Sequence, residues 1–285
     1  MLKSRLCIAF FAFAVGCAPA QKPLTDYVNP MLGTATLWDS VDLGFKPTKR
    51  TWGAEVFPGS SLPNAMVQVS PVTKFHSGAG YQYEDSVIYG FTHTNKGHWN
   101  LCHIPLLPVT GTPTPGDYCS PFSHERESAA PGYYQVFLDR YGVDAQLSST
   151  LRCAFHKYTY PAGAAASLLA DLQRSNEHVR AWDIRKEGDN VFAGWQQTGE
   201  KMYFYAVANR PVTGIEPVVE GDREVRIVRF GEGDGALELR IGFSFVSEKN
   251  ARENLEAEML GKSFAEVRSE ATATWNDLLG RIRVE

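Results

Sequence analysis

The chain has 285 residues and a formal net charge of −4, and 44% of its residues are hydrophobic and 21% charged. This composition excludes a low-hydrophobicity disordered chain, and the slightly acidic balance excludes a basic nucleic-acid-binding protein. The length fits one or two globular domains. Because no long apolar run follows the N-terminus, a protein with several membrane-spanning helices is excluded as well.

Residues 1–20 have the features of an export signal. Two basic residues precede an apolar stretch over residues 6–15, and Ala18-Pro19-Ala20 offers a small-x-small cleavage site. The segment around Cys17 also resembles a bacterial lipobox, in which the cysteine would be acylated, although the usual leucine three residues earlier is absent. We therefore expect a periplasmic or extracellular protein, which contacts a membrane only if Cys17 is lipidated.

Alternation of apolar and polar residues dominates from about residue 64 to residue 246 and is typical of half-buried strands. A loop with two prolines and a glycine, residues 57–64, precedes the first predicted strand over residues 65–69. Further strands are predicted at residues 133–138, 143–147, 158–160, 191–195, 203–207 and 236–243. Many strands with polar outer faces predict a mainly β fold, a large antiparallel β-sandwich.

Two turns are the clearest among the predicted strands. Asp189-Asn190 separates two of them, and the glycine-rich segment 231–235 resembles an acidic hairpin turn. After the last strand, Ser247 can cap a helix that runs to about Met259, with Gly261 ending it.

A capping-box sequence at residues 263–266 opens a second helix. An apolar stripe follows steps of three and four along it, consisting of Phe264, Val267, Ala271, Trp275, Leu278 and Ile282. This stripe either docks on the sandwich or faces a domain outside the chain.

Polar, aromatic and glycine residues are mixed in the loop-rich segment from Gly78 to Asn100. A sugar site uses that mixture, because an aromatic ring stacks on the C–H face of a pyranose while His, Asn and Thr groups bond its hydroxyls. Tyr81, His98 and Trp99 are candidates for such contacts. For each of them taken singly, a packed or solvated side chain is the alternative.

Three cysteines lie beyond the predicted signal, Cys102, Cys119 and Cys153, so at most one internal disulfide can form among them. Cys102 and Cys119 flank a Pro/Gly-rich loop and could pair, although the sequence leaves the pairing open. We predict no zinc site, because three histidines that recur every five residues from His93 match neither a helix face nor a strand face.

Short motifs are spread in a fixed order across nearly all of the chain after residue 20. They are Val28–Thr34, Phe57-Pro58-Gly59, Met66–Pro71, Gly80–Tyr83, Gly90–Thr94, Phe122–Glu125, Pro131–Tyr134, His156–Thr159 and Trp275–Leu279. In this order they resemble the N-terminal domain of glycoside hydrolase family 92. Members of that family are exo-acting, calcium-dependent, inverting α-mannosidases, exported by bacteria that consume N-glycans or fungal mannan.

The resemblance implies a galactose-mutarotase-like β-sandwich over residues 21–246 and a helical linker over residues 247–285. The linker would lead to an (α/α)-barrel that is absent from the chain, and the active site would lie in the cleft between the two domains. In the family, the general acid, the base and much of the calcium site belong to the barrel. We therefore assign no catalytic residue and no metal ligand here, and calcium is implied only through the resemblance.

The resemblance also implies that the sandwich forms one wall of the cleft. Phe75 stands where many members have a sugar-contacting tryptophan, and it could stack on a sugar without the indole N–H donor. Where the family has His-Thr-His, this chain has His93-Thr94-Asn95. The predicted substrate-binding set is thus Phe75, Tyr81, His93, Asn95, His98 and Trp99.

Two functions from different classes follow from these features. The chain is either the non-catalytic portion of a secreted α-mannosidase that acts on mannose-containing glycans, or a stand-alone carbohydrate-binding sandwich without hydrolase activity.

Overall fold

The computed structural model of the chain describes residues 22–36, 44, 55–95 and 101–282. The predicted export signal, Cys17, His98 and Trp99 lie outside the described residues. Among those that are described, no helix combines the length and the apolar character that a membrane span requires.

Two large antiparallel sheets pack face to face and confirm the predicted β-sandwich. In spatial order, the first sheet contains β1 (Ser60–Ser61), β2 (Gln68–Val72), β4 (Gly90–Thr92), β5 (Leu106–Val109), β11 (Ser167–Ala170), β16 (Arg223–Phe230) and β15 (Val212–Glu220). The second contains β12 (Ala181–Gly188), β13 (Val191–Gln197), β14 (Lys201–Ala208), β17 (Leu237–Ser244), β10 (Cys153–Thr159), β9 (Val143–Ser149), β8 (Tyr133–Leu138) and β7 (Glu127–Ala130). A small sheet pairs β3 (Val87–Ile88) with β6 (Ser120–Pro121).

The core lies between the two large sheets and follows the alternation of the sequence. In β17 the four apolar side chains at the odd-numbered positions are fully buried, Leu237, Leu239, Ile241 and Phe243. The strand predicted at residues 65–69 begins later, at Gln68, and continues to Val72. The N–H groups of Met66 and Val67 both donate to the carbonyl of Leu151 instead of joining a strand ladder, so the first residues of the prediction remain outside the sheet.

Of the two predicted turns, one is confirmed and the other has a different role. Asp189-Asn190 joins β12 to β13, which are neighbours in the second sheet. Segment 231–235 is not a hairpin turn, because β16 belongs to the first sheet and β17 to the second. It carries the chain from one layer of the sandwich to the other.

The two predicted helices are present as α1 (Glu248–Glu258) and α2 (Phe264–Leu279), and short 3₁₀ helices occur at Leu24–Tyr27 and His124–Arg126. Ser247 caps α1, its hydroxyl accepting from the N–H of Asn250 at 3.1 Å. Ser263 and Glu266 form the predicted capping box of α2. Local sequence signals therefore set the starts of both helices.

The apolar stripe of α2 docks on the sandwich along its N-terminal part. Phe264 and Val267 are buried in a cluster with Tyr133 and Phe155 of the second sheet. Exposure rises along the stripe, and Ile282 beyond the helix end is 81% exposed. The stripe thus has a partner surface at its beginning and none among the described residues at its end.

The cysteines Cys102, Cys119 and Cys153 are free thiols, so the open pairing of the first two does not form. Cys102 lies in the interior, where its thiol contacts Asn95 Oδ1 at 3.6 Å. Burial raises the pKa of the Cys102 thiol to about 12, so a reactive thiolate is disfavoured at this position.

Candidate functional site

Two adjoining depressions open on one surface of the sandwich. The Phe75 depression, about 570 Å³, is lined by residues 73–76, residues 84–87, Tyr89 and Arg174. The Glu177 depression, about 580 Å³, is lined by His76, residues 173–175, residues 177–182 and Asp222. His76 and Arg174 line both, and each volume falls in the range of small-molecule sites.

Asn176 joins three loops that form this surface. Its Oδ1 accepts from the N–H of His76 at 2.7 Å, and its Nδ2 donates to the carbonyl of Ser77 at 3.0 Å. Its own N–H donates to the carbonyl of Leu101 at 2.9 Å. His76 has a φ of 59°, in the left-handed region that a histidine seldom adopts, and these hydrogen bonds hold it there.

Arg174 lies against three aromatic rings at the ridge between the depressions. Its Cζ atom is 5.5 Å from the ring centroid of Phe75, 5.3 Å from that of Tyr89 and 5.8 Å from that of Tyr118. Such cation–π contacts hold a guanidinium without consuming its N–H donors.

Asp171 lies below the ridge as a buried carboxylate. Its Oδ2 accepts from the hydroxyl of Tyr118 at 2.6 Å and from Arg223 at 2.8 Å, and it is 3.6 Å from Nε of Arg174. Burial raises the pKa of this carboxyl, while the hydroxyl and the two arginines favour its ionised form.

A hydrogen-bond relay leads from the interior to Glu177 in the second depression. The hydroxyl of Thr198 donates to Glu177 Oε2 at 3.0 Å and therefore accepts from Nε2–H of His103 at 2.9 Å. Nδ1 of His103 then accepts from the hydroxyl of Thr94 at 2.7 Å. Burial lowers the pKa of His103, although the Glu177 carboxylate opposes the shift. A lowered pKa agrees with a neutral ring that carries its proton on Nε2.

Tyr81, a predicted sugar contact, lies fully inside the protein. Its hydroxyl is 3.0 Å from both oxygens of Glu127, a carboxylate that is 1% exposed. Tyr134 also donates to Glu127, and Nδ1 of His124 lies 2.6 Å from it. Tyr81 is thus part of a buried network in which its hydroxyl already has a hydrogen-bond partner.

His93, another predicted contact, joins the two sheets from within the core. Nδ1–H of His93 donates to the carbonyl of Ile104 at 2.9 Å, so its Nε2 accepts from Nε2–H of His156 at 3.0 Å. Nδ1 of His156 in turn accepts from the hydroxyl of Tyr158 at 2.5 Å. Both rings are fully buried, and burial lowers the pKa of His93 to about 3 and that of His156 well below its usual value.

Asn95 is likewise an interior residue. Its Nδ2 donates to the carbonyl of Gln68 at 2.7 Å, and its Oδ1 accepts from the hydroxyl of Thr92 at 3.0 Å. Of the four predicted contacts that the structure describes, Phe75 is the one that reaches the surface. Tyr81, His93 and Asn95 are buried, and contact of these three side chains with a sugar stays a prediction.

Sequence reasoning missed Arg174, Asn176 and Glu177. All three belong to a polar run, residues 171–180, that directly follows the apolar strand β11. A dense group of charged and amide residues after a buried strand is the signal that could have identified them.

An aromatic ring beside arginine and carboxylate side chains in an open depression is the arrangement expected of a carbohydrate-binding surface. Residues 27–254 match the model of the glycosyl hydrolase family 92 N-terminal domain. The chain belongs to this family.

Solved structures and a curated sequence show the same similarity. The family 92 α-mannosidase BT3965 of Bacteroides thetaiotaomicron, solved with mannoimidazole, is 25% identical and superposes with a TM-score of 0.80. The match covers 93% of this chain and 38% of the BT3965 chain. The inverting mannosidase BT2199 of the same bacterium is 24% identical, with a TM-score of 0.76, and the match covers 92% of this chain and 37% of the BT2199 chain. A secreted glycosidase of Arthroderma benhamiae, described as uncharacterized, is 24% identical over 91% of this chain and 38% of its own. The chain thus spans less than half the length of these relatives.

Proposed function

We propose that the chain is the sandwich portion of an exported, calcium-dependent, inverting exo-α-mannosidase that acts on N-glycans or mannan. The catalytic carboxylates would belong to an (α/α)-barrel domain, joined through segment 247–285, which contains α1 and α2, and packed against the sandwich. One observation carries the proposal: the family match covers residues 27–254, yet the chain corresponds to only 38% of a related α-mannosidase. In this arrangement Phe75 would form part of the cleft wall.

The acids of the Phe75 depression support a catalytic pair outside the chain. Inversion requires two carboxyl groups about 6.5–9.5 Å apart, one protonating the leaving oxygen and the other activating water. Glu84 accepts from the N–H of Thr36 at 2.7 Å, and Asp85 accepts from the hydroxyl of Thr73 at 2.7 Å. Because each carboxylate is tied to a neighbouring loop, we assign neither to the reaction.

Calcium does not fit the residues that the structure describes. Across residues 22–36, 44, 55–95 and 101–282, no group of three or more His, Cys, Asp or Glu side chains is placed to hold a metal ion. In the proposed enzyme, most calcium ligands would belong to the barrel domain.

Exposed apolar side chains near the end of α2 would contact that domain. Val28 is 40% exposed, Leu278 36% and Ile282 81%, and a hydrogen bond of 3.0 Å from the N–H of Thr25 to Asn276 holds the N-terminal segment beside the helix. Exposed apolar side chains that are grouped near one end of a helix are typical of protein interfaces.

The isolated chain is expected to show no hydrolysis of an aryl α-mannoside in the presence of calcium. Addition of the matching barrel domain, by co-expression or mixing, should restore hydrolysis because it supplies the acid and the base. Release of the aryl group measures both reactions. Hydrolysis by the purified chain alone, co-eluting with it and retained after repurification, would contradict the proposal.

A second candidate is a stand-alone carbohydrate-binding sandwich, which the half-buried Phe75 beside Arg174 favours. Calorimetric titration of the chain with methyl α-mannoside should then give a dissociation constant near the millimolar range, about −4 kcal/mol of binding free energy. Phe75→Ala should weaken binding about threefold to tenfold, because the stacking surface is lost. Tyr27→Ala, which removes a 70% exposed aromatic ring elsewhere, is the control. Equal affinities for wild type and Phe75→Ala would remove Phe75 from the site.

A further inference from the structure

We propose that Arg174 is a glycan-binding residue, and that the ridge of His76 and Arg174 lets the two depressions hold consecutive units of one neutral oligosaccharide. This inference rests on the proposed function in one respect, the choice of mannose-containing ligands. The Phe75 depression would bind one sugar by stacking, and Arg174 and Glu177 would bind the hydroxyls of the next.

The N–H donors of Arg174 are largely unused. A guanidinium has five donors, yet the contacts of this one are long: Nη1 lies 3.5 Å from the hydroxyl of Tyr118, and Nε lies 3.6 Å from Asp171 Oδ2. The three aromatic rings fix its position, and the side chain is 32% exposed. A donor group that is held in place with its hydrogen-bonding capacity unspent is preorganised for a ligand.

Glu177 offers the acceptor that complements the donors of Arg174. Its side chain is 37% exposed, and the relay through Thr198 and His103 fixes one of its oxygens. A sugar hydroxyl both donates and accepts, so an arginine and a carboxylate on one surface can bind neighbouring hydroxyls in both directions.

The charges that line the two depressions favour an uncharged ligand. The basic side chains Lys74, Arg174 and Arg180 and the acidic side chains Glu84, Asp85, Glu177 and Asp222 line the two depressions. The acids slightly outnumber the permanent cations, so the surface has no excess of positive charge that would select an anionic ligand. A neutral oligosaccharide fits this balance better than a phosphorylated one.

The test is glycan binding by the chain itself, with α-linked mannotriose and methyl α-mannoside as probes. For wild type, we expect mannotriose to bind about tenfold more tightly than the single sugar, corresponding to about 1.4 kcal/mol. Arg174→Lys should abolish this difference, because lysine keeps the charge but lacks the planar donor fork. The control is Arg126→Lys. Arg126 also pairs with an aspartate, and its Cζ atom lies 4.1 Å from the ring centroid of Phe137, but it lies outside both depressions. This variant should keep the preference for mannotriose.

A nuclear magnetic resonance titration separates contact from a structural effect. The Nε–Hε signal of Arg174, identified by its absence in Arg174→Lys, should shift saturably as mannotriose is added up to about 50 mM, well above a millimolar dissociation constant. Thermal unfolding of Arg174→Lys should stay close to wild type.

An unshifted Arg174 signal, or an undiminished preference for mannotriose in Arg174→Lys, would overturn the inference while the cleft wall at Phe75 stands. Absence of binding to wild type would overturn it as well, whereas hydrolysis restored by the barrel domain would still support the proposed enzyme.

Discussion

Gly242→Ala is expected to lower the free energy of unfolding by about 3 kcal/mol or more, because the added methyl group has no space. A Cβ at Gly242 would lie 2.1 Å from the carbonyl oxygen of Ala251 and 2.8 Å from Cβ of Leu255, both on α1. Since a backbone atom cannot yield as a flexible side chain does, α1 must move away from β17. Its buried residues then lose their contacts with the sheet. Thermal unfolding should show a midpoint lower by about 6–12 °C for a chain of this size.

Gly214→Ala is the matched control, a glycine-to-alanine change in another strand, β15. No atom lies within 4 Å of the Cβ that would be added there. Alanine also restricts the unfolded chain more than glycine does, so stability should change by less than about 1 kcal/mol. Equal losses in the two variants would show that the close approach of α1 does not set the requirement for glycine at Gly242.

Acidification from pH 6.5 to 4.5 is expected to lower the free energy of unfolding by about 2 kcal/mol through His93, and to lower it further through His156, its partner in the buried pair. Burial lowers both pKa values in the folded protein, that of His93 to about 3, whereas in the unfolded chain both are near 6.5. Below pH 6.5 the unfolded state therefore binds protons that the folded state does not. The free energy of unfolding decreases as the pH is lowered, until the pH reaches the pKa of the histidine in the folded protein. Denaturant unfolding at a series of pH values measures this slope.

The double variant His93→Asn/His156→Gln should have a shallower slope, because it removes both titrating rings while asparagine keeps an N–H donor for the carbonyl of Ile104. His178→Asn exchanges an exposed histidine and should keep the wild-type slope. If the double variant loses stability with acid as steeply as wild type, the pair is not the source of the pH dependence.

The candidate site was only partly predictable, because its parts are far apart in the sequence. His76, Leu101 and Asn176 become neighbours through hydrogen bonds that span up to 100 residues. Arg174 gains its surroundings from rings on three other segments, and no local pattern records such contacts. Phe75 was identified through a family motif, and the same motifs suggested Tyr81 and His93. Whether a motif residue faces solvent or the core depends on the second sheet that packs over it.

The sequence by itself determined several strands of the second sheet, the helix starts and the family, since alternation, Ser caps and ordered motifs act through neighbours along the chain. The tertiary structure alone decided which strands share a sheet, that segment 231–235 crosses between layers, and that His93 meets His156 inside the core. It also decided where α2 docks and where its apolar stripe emerges. These outcomes depend on packing between distant segments, where burial and hydrogen-bond satisfaction are settled for the whole molecule at once.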